Sequence, residues 1–390
     1  MARILFGWEL GSNRGHIGAM ETIAATLLKA GHEVVFALQQ IDAGGIDLDR
    51  RIALWQAPVW PRLLAAASQP ISTPTATMGD ILCRLGLDRP GTLAALIRGW
   101  DAIFAAIRPD MVVGDFAPAL LAAAHGRILS VQTGTGFACP PPEAASFPRL
   151  SEAPVANDER EILDLVDADL HSVGRPALPA LPALFASDHS LIASFPELDP
   201  YAASRPGSHC APDIARPHPT ARTGGGDELF VYLFHKIHPE APIWQGLALS
   251  GRKVRIHMSG PSADHLTQFK RNGFAVEPHP LPFPRIAGRS RIALSHGGHG
   301  FVSACLLSGL PQIVAWYDLE KKLYGSALEA GGLGRSVGLF STSAQDVAAL
   351  IDACWNDASM ADRCGAAAPG FAERMDDPAA ARIRALAQAL

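Results

Sequence analysis

Short apolar runs alternate along the chain with longer amphipathic segments, a pattern typical of strands and helices in turn. RILFGW at residues 3–8 and HEVVFAL at 32–38 predict buried strands. The segment between them predicts a helix ending near Gly31, because its apolar residues recur at helical spacing, at Met20, Ile23, Ala24, Leu27 and Leu28. These three elements form a βαβ unit, whose crossover is almost always right-handed.

The same alternation recurs further along. DMVVGDF at 110–116 predicts a strand and the alanine-rich run after it a helix, while ELFVYLF at 228–234 and RIALS at 291–295 predict strands of a second set. Residues 55–106 look helical and loop-like. The proline-punctuated run PALPALPAL at 176–184 predicts an exposed loop.

Proline, glycine and small polar residues dominate residues 206–227, and no period appears there. We therefore expect a domain at 1–205, a linker at 206–227 and a second domain at 228–390, and leave open that the last helix packs back on the first domain. Alternating strands and helices predict an α/β fold with two parallel sheets. Ligands of such sheets bind at the carboxyl ends of the strands.

Composition narrows the function classes. The 390 residues are 48% hydrophobic and 18% charged, with a formal net charge of -5 and no basic run, so we expect no nucleic-acid partner. Six scattered cysteines without C-x-x-C spacing predict a reduced compartment and no structural zinc. MARILFGWEL lacks the features of a signal peptide, and no apolar run reaches the length of a membrane span. We expect a cytoplasmic monomer or homodimer, with peripheral membrane contact left open.

The stretch SHGGHGF at 295–301 carries the clearest candidate chemistry. Its glycines allow the backbone to approach a ligand, and the N-terminus of the following helix offers unpaired N–H groups and partial positive charge. With His296 as a further hydrogen-bond partner, the turn predicts a phosphate or diphosphate site. Two alternatives are a tight turn without a ligand and a metal held by His296 and His299, although no carboxylate stands beside them.

The first turn does not carry the motif of a dinucleotide site. It spaces its glycines at 7, 11, 15 and 18, which is not G-x-G-x-x-G, and no acidic residue ends the second strand.

LSHGGHGFVSACLLSGLPQIVAW resembles the donor-site signature of nucleotide-sugar-dependent glycosyltransferases of the macrolide, antibiotic and UDP-glucuronosyl type. GSNRGHIGAMETIAATLLKAGHEVVFAL is similar to the opening of that family, and IRPDMVVGD and LIASFPELD fall where it has related segments. The resemblance implies the GT-B fold, two Rossmann-like domains facing across a cleft. The first would bind an acceptor and the second a nucleotide sugar.

The resemblance also implies catalytic roles for His16 and Asp115. His16 would be the general base that takes the proton of an acceptor hydroxyl during an inverting transfer, and Asp115 would orient it. Alternatives are a helix-capping or loop histidine and an N-cap aspartate of the following helix.

The donor site implied by the resemblance departs from the family at several positions. Phe301 and Ala304 replace a phosphate-binding hydroxyl and a ribose-binding glutamate, and Pro280 replaces a base-stacking tryptophan. Glu320 and Lys321 replace an Asp-Gln pair for the sugar; Lys321 could face a charged sugar or be a solvated surface residue. The implied donor-binding residues are His296, Gly297, Gly298, Gly300, Phe301, Glu320, Lys321, Lys236 and Pro282.

We expect a UDP- or TDP-sugar as co-substrate, with no cofactor and no metal. Trp55, Phe104 and Phe137 are candidates for the pocket of a small hydrophobic or lipid acceptor, and are equally interpretable as core residues. Two other functions stay open, an epimerase or hydrolase of nucleotide sugars and a non-catalytic nucleotide-sugar-binding subunit.

Overall fold

The computed structural model describes residues 1–11, 15–41, 48–63, 75–205, 207–214 and 225–390. The chain forms two compact units. The first comprises Met1–Asp213 together with Asp377–Leu390, and the second comprises Ile214–Asp376.

A seven-stranded parallel sheet in the order β3-β2-β1-β4-β5-β6-β7 forms the centre of the first unit. Its strands are β1 Arg3–Trp8, β2 Glu33–Leu38, β3 Ala53–Gln56, β4 Met111–Asp115, β5 Leu129–Gly134, β6 His189–Ala193 and β7 His209–Cys210. Its helices are α1 Gly15–Lys29, α2 Met78–Leu85, α3 Thr92–Ile107, α4 Pro118–Ala124, α5 Glu159–Ser172 and, from the end of the chain, α13 Ala379–Gln388.

Strand order reverses between β1 and β4. From β1 the chain winds outward to β2 and β3, and it then returns to place β4 on the other side of β1. The loops after β1 and β4 therefore leave the same sheet edge in opposite directions, and the crevice between them is the usual ligand site of such sheets.

The core of the first unit explains the apolar strands. β1 is buried from Ile4 to Trp8, because helices cover both faces of a parallel sheet. α1 buries the residues that its spacing predicted and, in addition, Ile17, and it packs against α13 in one cluster that includes Ala380 and Ile383. The last helix of the chain thus completes the core of the first unit.

Three local predictions need correction. The first unit extends to Asp213, past the boundary expected at residue 205, because β7 pairs with β6. The start of the segment 55–106, interpreted as helical and loop-like, belongs to the exposed edge strand β3, which ends at Gln56. The proline-rich run at 176–184 is not wholly an exposed loop. Its residues Leu181, Pro182 and Leu184 are buried in the 3₁₀ helix Leu181–Phe185.

A six-stranded parallel sheet in the order β10-β9-β8-β11-β12-β13 forms the second unit. Its strands are β8 Glu228–Phe234, β9 Lys253–Ser259, β10 Ala275–Glu277, β11 Ser290–Ser295, β12 Gln312–Trp316 and β13 Gly334–Gly338. Its helices are α6 Pro242–Leu249, α7 Ala263–Arg271, α8 Phe283–Arg289, α9 His299–Ser308, α10 Leu319–Ala330, α11 Ala344–Asn356 and α12 Ala358–Ala372.

The second sheet has its own reversal, between β8 and β11. The turn that follows β11 is the glycine-rich stretch of the sequence, so the candidate phosphate turn lies at the switch point of this sheet. No helix among the described residues is long and apolar enough to span a membrane.

Candidate functional site

His16 and Asp115 meet at the switch point of the first sheet. Asp115 is the last residue of β4, and His16 lies in the first turn of α1, which follows β1. The Nδ1 atom of His16 is 3.0 Å from Oδ1 of Asp115. The Asp115 side chain is 3% exposed and that of His16 18%, so the carboxylate is buried behind an imidazole that solvent still reaches.

Asp115 does not cap the following helix. The N-cap residue of α4 is Ala117, whose side chain makes no hydrogen bond to the first turn of the helix. A carboxylate only accepts hydrogen bonds, so we assign the hydrogen between the two side chains to Nδ1 of His16. The Asp115 carboxylate accepts from that N–H group. This tautomer carries the basic lone pair on Nε2.

The indole of Trp8 supports the imidazole from one side. Trp8 ends β1 beside Asp115 in the strand pairing, and its ring stacks on that of His16 with centroids 5.4 Å apart. Its own N–H donates to the carbonyl of Leu10 at 2.5 Å, which fixes the ring plane. Orientation of His16 therefore comes from a hydrogen bond at one edge and a ring contact on one face.

A buried carboxylate, Glu9, anchors the turn after β1. It is 0% exposed and accepts four N–H bonds, two from indoles and two from the backbone at the start of α4. The donors are Trp60 Nε1 at 2.9 Å, Trp100 Nε1 at 2.6 Å, Ala119 N at 3.1 Å and Leu120 N at 2.6 Å. Burial raises the pKa of Glu9 to about 7, against the effect of the four donors.

The glycine-rich turn of the second unit holds His296 against β8. Tyr232 O accepts from the backbone N of His296 at 3.2 Å and lies 3.4 Å from its Nδ1. Gly297 adopts φ +84, and a Cβ there would stand 2.7 Å from Val314. A Cβ on Gly298, the N-cap of α9, would stand 3.1 Å from Nε2 of His296. Gly297 is thus required by its backbone conformation and close contact, a side chain at 298 would press on the His296 ring, and Nε2 faces the start of α9.

His296 is a neutral imidazole in this environment. Burial, reinforced by the cation of Lys321, lowers the pKa of His296 to about 4, although the contact with Tyr232 O opposes the shift. At neutral pH His296 adds a hydrogen-bonding ring to the turn and no charge of its own.

Phe301 has a packing role. Its ring stacks on Phe230, with centroids 6.1 Å apart, and contacts Tyr232 and Phe283 at 5.3 and 5.4 Å. Among the groups of Phe301, the backbone amide in the first turn of α9 is the one suited to an anion.

Lys321 is held by carboxylates. Its ammonium donates to Glu320 and lies 3.8 Å from Asp318, and its side chain is 13% exposed. Burial works against the charge, yet these carboxylates outweigh it and hold the pKa above its usual value. The alternative of a solvated surface lysine is wrong. Glu320 also accepts from Tyr324 Oη at 2.7 Å, so its two oxygens are engaged.

The remaining predicted donor-site residues are Lys236, Pro282 and Gly300. Lys236 is exposed in the turn after β8, and Pro282 is the exposed N-cap residue of α8. Gly300 lies in the first turn of α9. No group of three or more His, Cys, Asp or Glu side chains suited to a metal ion occurs in the part of the chain that the structure describes.

The three candidate acceptor residues differ in position. Phe137 is buried in the 3₁₀ helix Gly136–Ala138 and contacts Phe116, the neighbour of Asp115, edge to face. Trp55 is 38% exposed on edge strand β3. Phe104 packs on Trp100 near the end of α3. The last carbonyl of this helix, that of Ile107, accepts a hydrogen bond from Arg3 at the start of β1. Phe104 is therefore a core residue at the amino ends of the strands, away from His16.

Sequence reasoning missed Glu9, Trp8 and Gly134. A charged residue within the apolar run RILFGWEL was a signal for Glu9, because a carboxylate among buried residues needs several donors. No local signal marks Gly134, whose importance comes from Asp115 on the neighbouring strand.

Two doubly wound parallel sheets, each with its histidine at the switch point, define a chain with the GT-B fold. Solved structures show the same fold over nearly the whole chain. The calicheamicin glycosyltransferase CalG4 is 16% identical with a TM-score of 0.71, covering 100% of this chain and 98% of its own. The glycosyltransferase VinC, in complex with DTDP, is 13% identical with a TM-score of 0.61. The match covers 99% of this chain and 98% of VinC.

A third solved structure is similar as well. UGT2 of Phytolacca americana, complexed with UDP-2fluoro-glucose and pterostilbene, is 12% identical with a TM-score of 0.61, covering 100% of this chain and 99% of its own. No family model and no curated protein matches the sequence. The structural neighbours thus include antibiotic and natural-product glycosyltransferases, and the likeness lies in the fold.

Proposed function

We propose that this protein transfers a sugar from a nucleotide-diphosphate sugar to a hydroxyl group of a small hydrophobic or lipid acceptor, with inversion at the anomeric carbon. The observation that carries the proposal is the pair His16–Asp115 at the switch point of the first sheet, 3.0 Å apart. A partly exposed imidazole with a buried carboxylate behind it is the arrangement that a general base requires.

In this mechanism His16 Nε2 takes the proton of the acceptor hydroxyl. The acceptor oxygen forms a bond to the anomeric carbon while the bond from that carbon to the diphosphate oxygen breaks, and the diphosphate leaves with the electron pair. Asp115 holds the imidazole in the required tautomer and stabilises the imidazolium that forms. Trp8 keeps the ring from turning away.

The donor diphosphate is proposed to bind at the start of α9, where the helix terminus offers N–H groups and partial positive charge. His296 borders this position, and Lys236 in the exposed turn after β8 supplies a mobile cation for the same diphosphate. Such groups stabilise the charge that builds up on the leaving diphosphate. The scheme needs no metal, so we expect transfer to persist in EDTA.

The nucleotide is proposed to be UDP or TDP. Support comes from the neighbours, one solved with DTDP and another with UDP-2fluoro-glucose and pterostilbene. An apolar acceptor is supported by pterostilbene in that second complex and by the buried Phe137, whose ring contacts Phe116, the residue next to Asp115.

The test has two stages. Thermal shift with UDP, TDP, GDP and ADP identifies the nucleotide, and transfer is then measured with the corresponding sugar nucleotide and a panel of phenolic and lipid acceptors. His16→Ala should lower kcat by about 10²- to 10⁴-fold and leave nucleotide stabilisation unchanged. Full transfer by this variant would refute the role of His16.

The same assays separate the alternatives. An epimerase or hydrolase would release epimer or free sugar from the donor without an acceptor. A non-catalytic subunit would bind a nucleotide and produce neither. Absence of stabilisation by all four nucleotides would contradict the donor site.

A further inference from the structure

The hydrogen-bond partner of His296 defines where its proton lies. Nδ1 contacts the carbonyl oxygen of Tyr232 at 3.4 Å, and a carbonyl oxygen only accepts, so Nδ1 carries hydrogen. In a neutral imidazole the other nitrogen, Nε2, then carries a lone pair. That nitrogen faces Gly298 at the start of α9, since a Cβ there would stand 3.1 Å away.

This tautomer is mismatched with a diphosphate. Phosphate oxygens are acceptors, as is the lone pair of Nε2, so the two repel when the diphosphate binds beside α9. One proton on Nε2 turns the repulsion into a charge-assisted hydrogen bond. The protein's own groups do not favour that proton, because burial and Lys321 together lower the pKa of His296 to about 4.

The side chains that contact the His296 ring do not add a negative charge that would favour its protonation. Tyr232 and Tyr317 contact the ring with neutral phenols, and the carboxylates of Asp318 and Glu320 face Lys321. Two further imidazoles belong to the surroundings, His257 stacked on Tyr232 and His299 beside Tyr324. The strongest new negative charge that can reach His296 is therefore that of an anionic ligand.

We propose that binding of a diphosphate at the start of α9 protonates His296 on Nε2, so that the protein takes up about one proton from solvent for each ligand bound. This inference rests on the proposed donor site and adds a regulation to it. Affinity for the donor then depends on pH, because the protonated ring is the binding form.

Calorimetry measures the proton directly. UDP-glucose, TDP-glucose and GDP-mannose are suitable probes, because their diphosphate diesters do not titrate near neutrality, whereas the terminal phosphate of UDP has a pKa of about 6. The heat of binding is compared at pH 7 in two buffers with different ionisation enthalpies. We expect uptake of more than half a proton per ligand.

Two variants test whether the proton taken up on binding resides on His296. His296→Gln retains a side-chain N–H that donates to an oxygen without taking up a proton, so binding should persist and uptake should fall to near zero. His299→Gln is the matched control on the same turn, and it should retain the uptake of the wild type.

A second measurement keeps the inference testable if His296→Gln does not fold. In the wild type, the Kd of the bound probe should rise by up to about tenfold per pH unit between pH 5.5 and 7.5. Binding without proton uptake, or a Kd independent of pH, would overturn this inference and leave the donor site standing. No binding of any of the three probes would overturn both.

Discussion

The carboxylate of Asp115 lies directly against the backbone of Gly134 on the neighbouring strand. A Cβ atom on residue 134 would stand 2.9 Å from Asp115 Oδ1, the oxygen that accepts from His16. Gly134 has φ +135, which only glycine adopts without strain. The position of the proposed base thus depends on a missing side chain one strand away.

Gly134→Ala should therefore reduce transfer by more than about tenfold, because the added methyl group displaces Asp115 from His16. Gly126→Ala is the matched control, with φ +67 and no atom within 4 Å of an added Cβ. Both variants should lose stability from backbone strain, by about 1 to 2 kcal/mol for Gly126→Ala and by more for Gly134→Ala, whose φ lies outside the left-handed helical region. Steady-state kinetics with thermal melts checks the difference, and equal kcat in the two variants would contradict the role of Asp115.

Asp115→Asn should keep the shape of the site and remove its charge. The amide no longer stabilises the imidazolium, nor does it hold the Nδ1–H tautomer of His16, so kcat should fall by about 10²- to 10⁴-fold with little change in KM. Initial rates over a range of acceptor concentrations measure the split. A fall of less than threefold would argue against His16 as the base.

Phe301→Thr should lower the stability of the protein and tighten its binding of the donor. The ring leaves a cluster with Phe230, Tyr232 and Phe283, which should cost about 2 to 4 kcal/mol of stability. The new hydroxyl group in the first turn of α9 can donate to a phosphate, which should tighten binding of the nucleotide by up to about tenfold. Phe301→Ala separates the effects, since it loses the ring and gains no donor.

Glu9→Gln should change how stability depends on pH. Burial raises the pKa of Glu9 to about 7 from 4.5, so the folded chain binds more protons than the unfolded chain between these values. The free energy of unfolding must then decrease as pH rises from 4.5 to 7, by about 3 kcal/mol at most. Denaturant melts at pH 5 and pH 7 should show this decrease in the wild type, less the part contributed by other groups. The decrease should be smaller in the variant, and an unchanged slope would contradict the assignment.

Lys321→Gln should raise the pKa of His296 above about 4, because a neighbouring cation is removed. Lys322→Gln is the control, since Lys322 lies over the ring of Trp316 and is not a cause of the shift. Titration of the histidine ring signals by NMR should move His296 in the first variant alone. No movement in Lys321→Gln would mean that burial by itself sets the pKa.

Local patterns were sufficient for much of the fold. The apolar runs at 3–8 and 228–234 are confirmed as β1 and β8, since a parallel strand buried on both faces needs a continuous apolar segment. The short strands β3 and β7 were missed, because they are edge strands whose existence depends on pairing with β2 and β6.

The site was less accessible from the sequence. His16 follows one predicted strand and Asp115 lies at the end of another, and adjacent parallel strands bring such residues together. The environment of Lys321 depends on how α10 begins beside the glycine-rich turn, where a Cβ on Gly297 would stand 3.2 Å from the stem of Lys321. The four partners of Glu9 come from segments far along the chain, so no local pattern could reveal them.

The helix α13 gives the chain a particular order of assembly. Its residues Ala380, Ile383 and Ala387 belong to the same apolar cluster as α1, although the whole second unit is synthesised between them. The ribosome therefore releases the second unit as a continuous segment before the first unit can close its core. A fragment ending at Asp213 would expose this apolar surface of α1, whereas the segment 214–376 contains every strand of its own sheet.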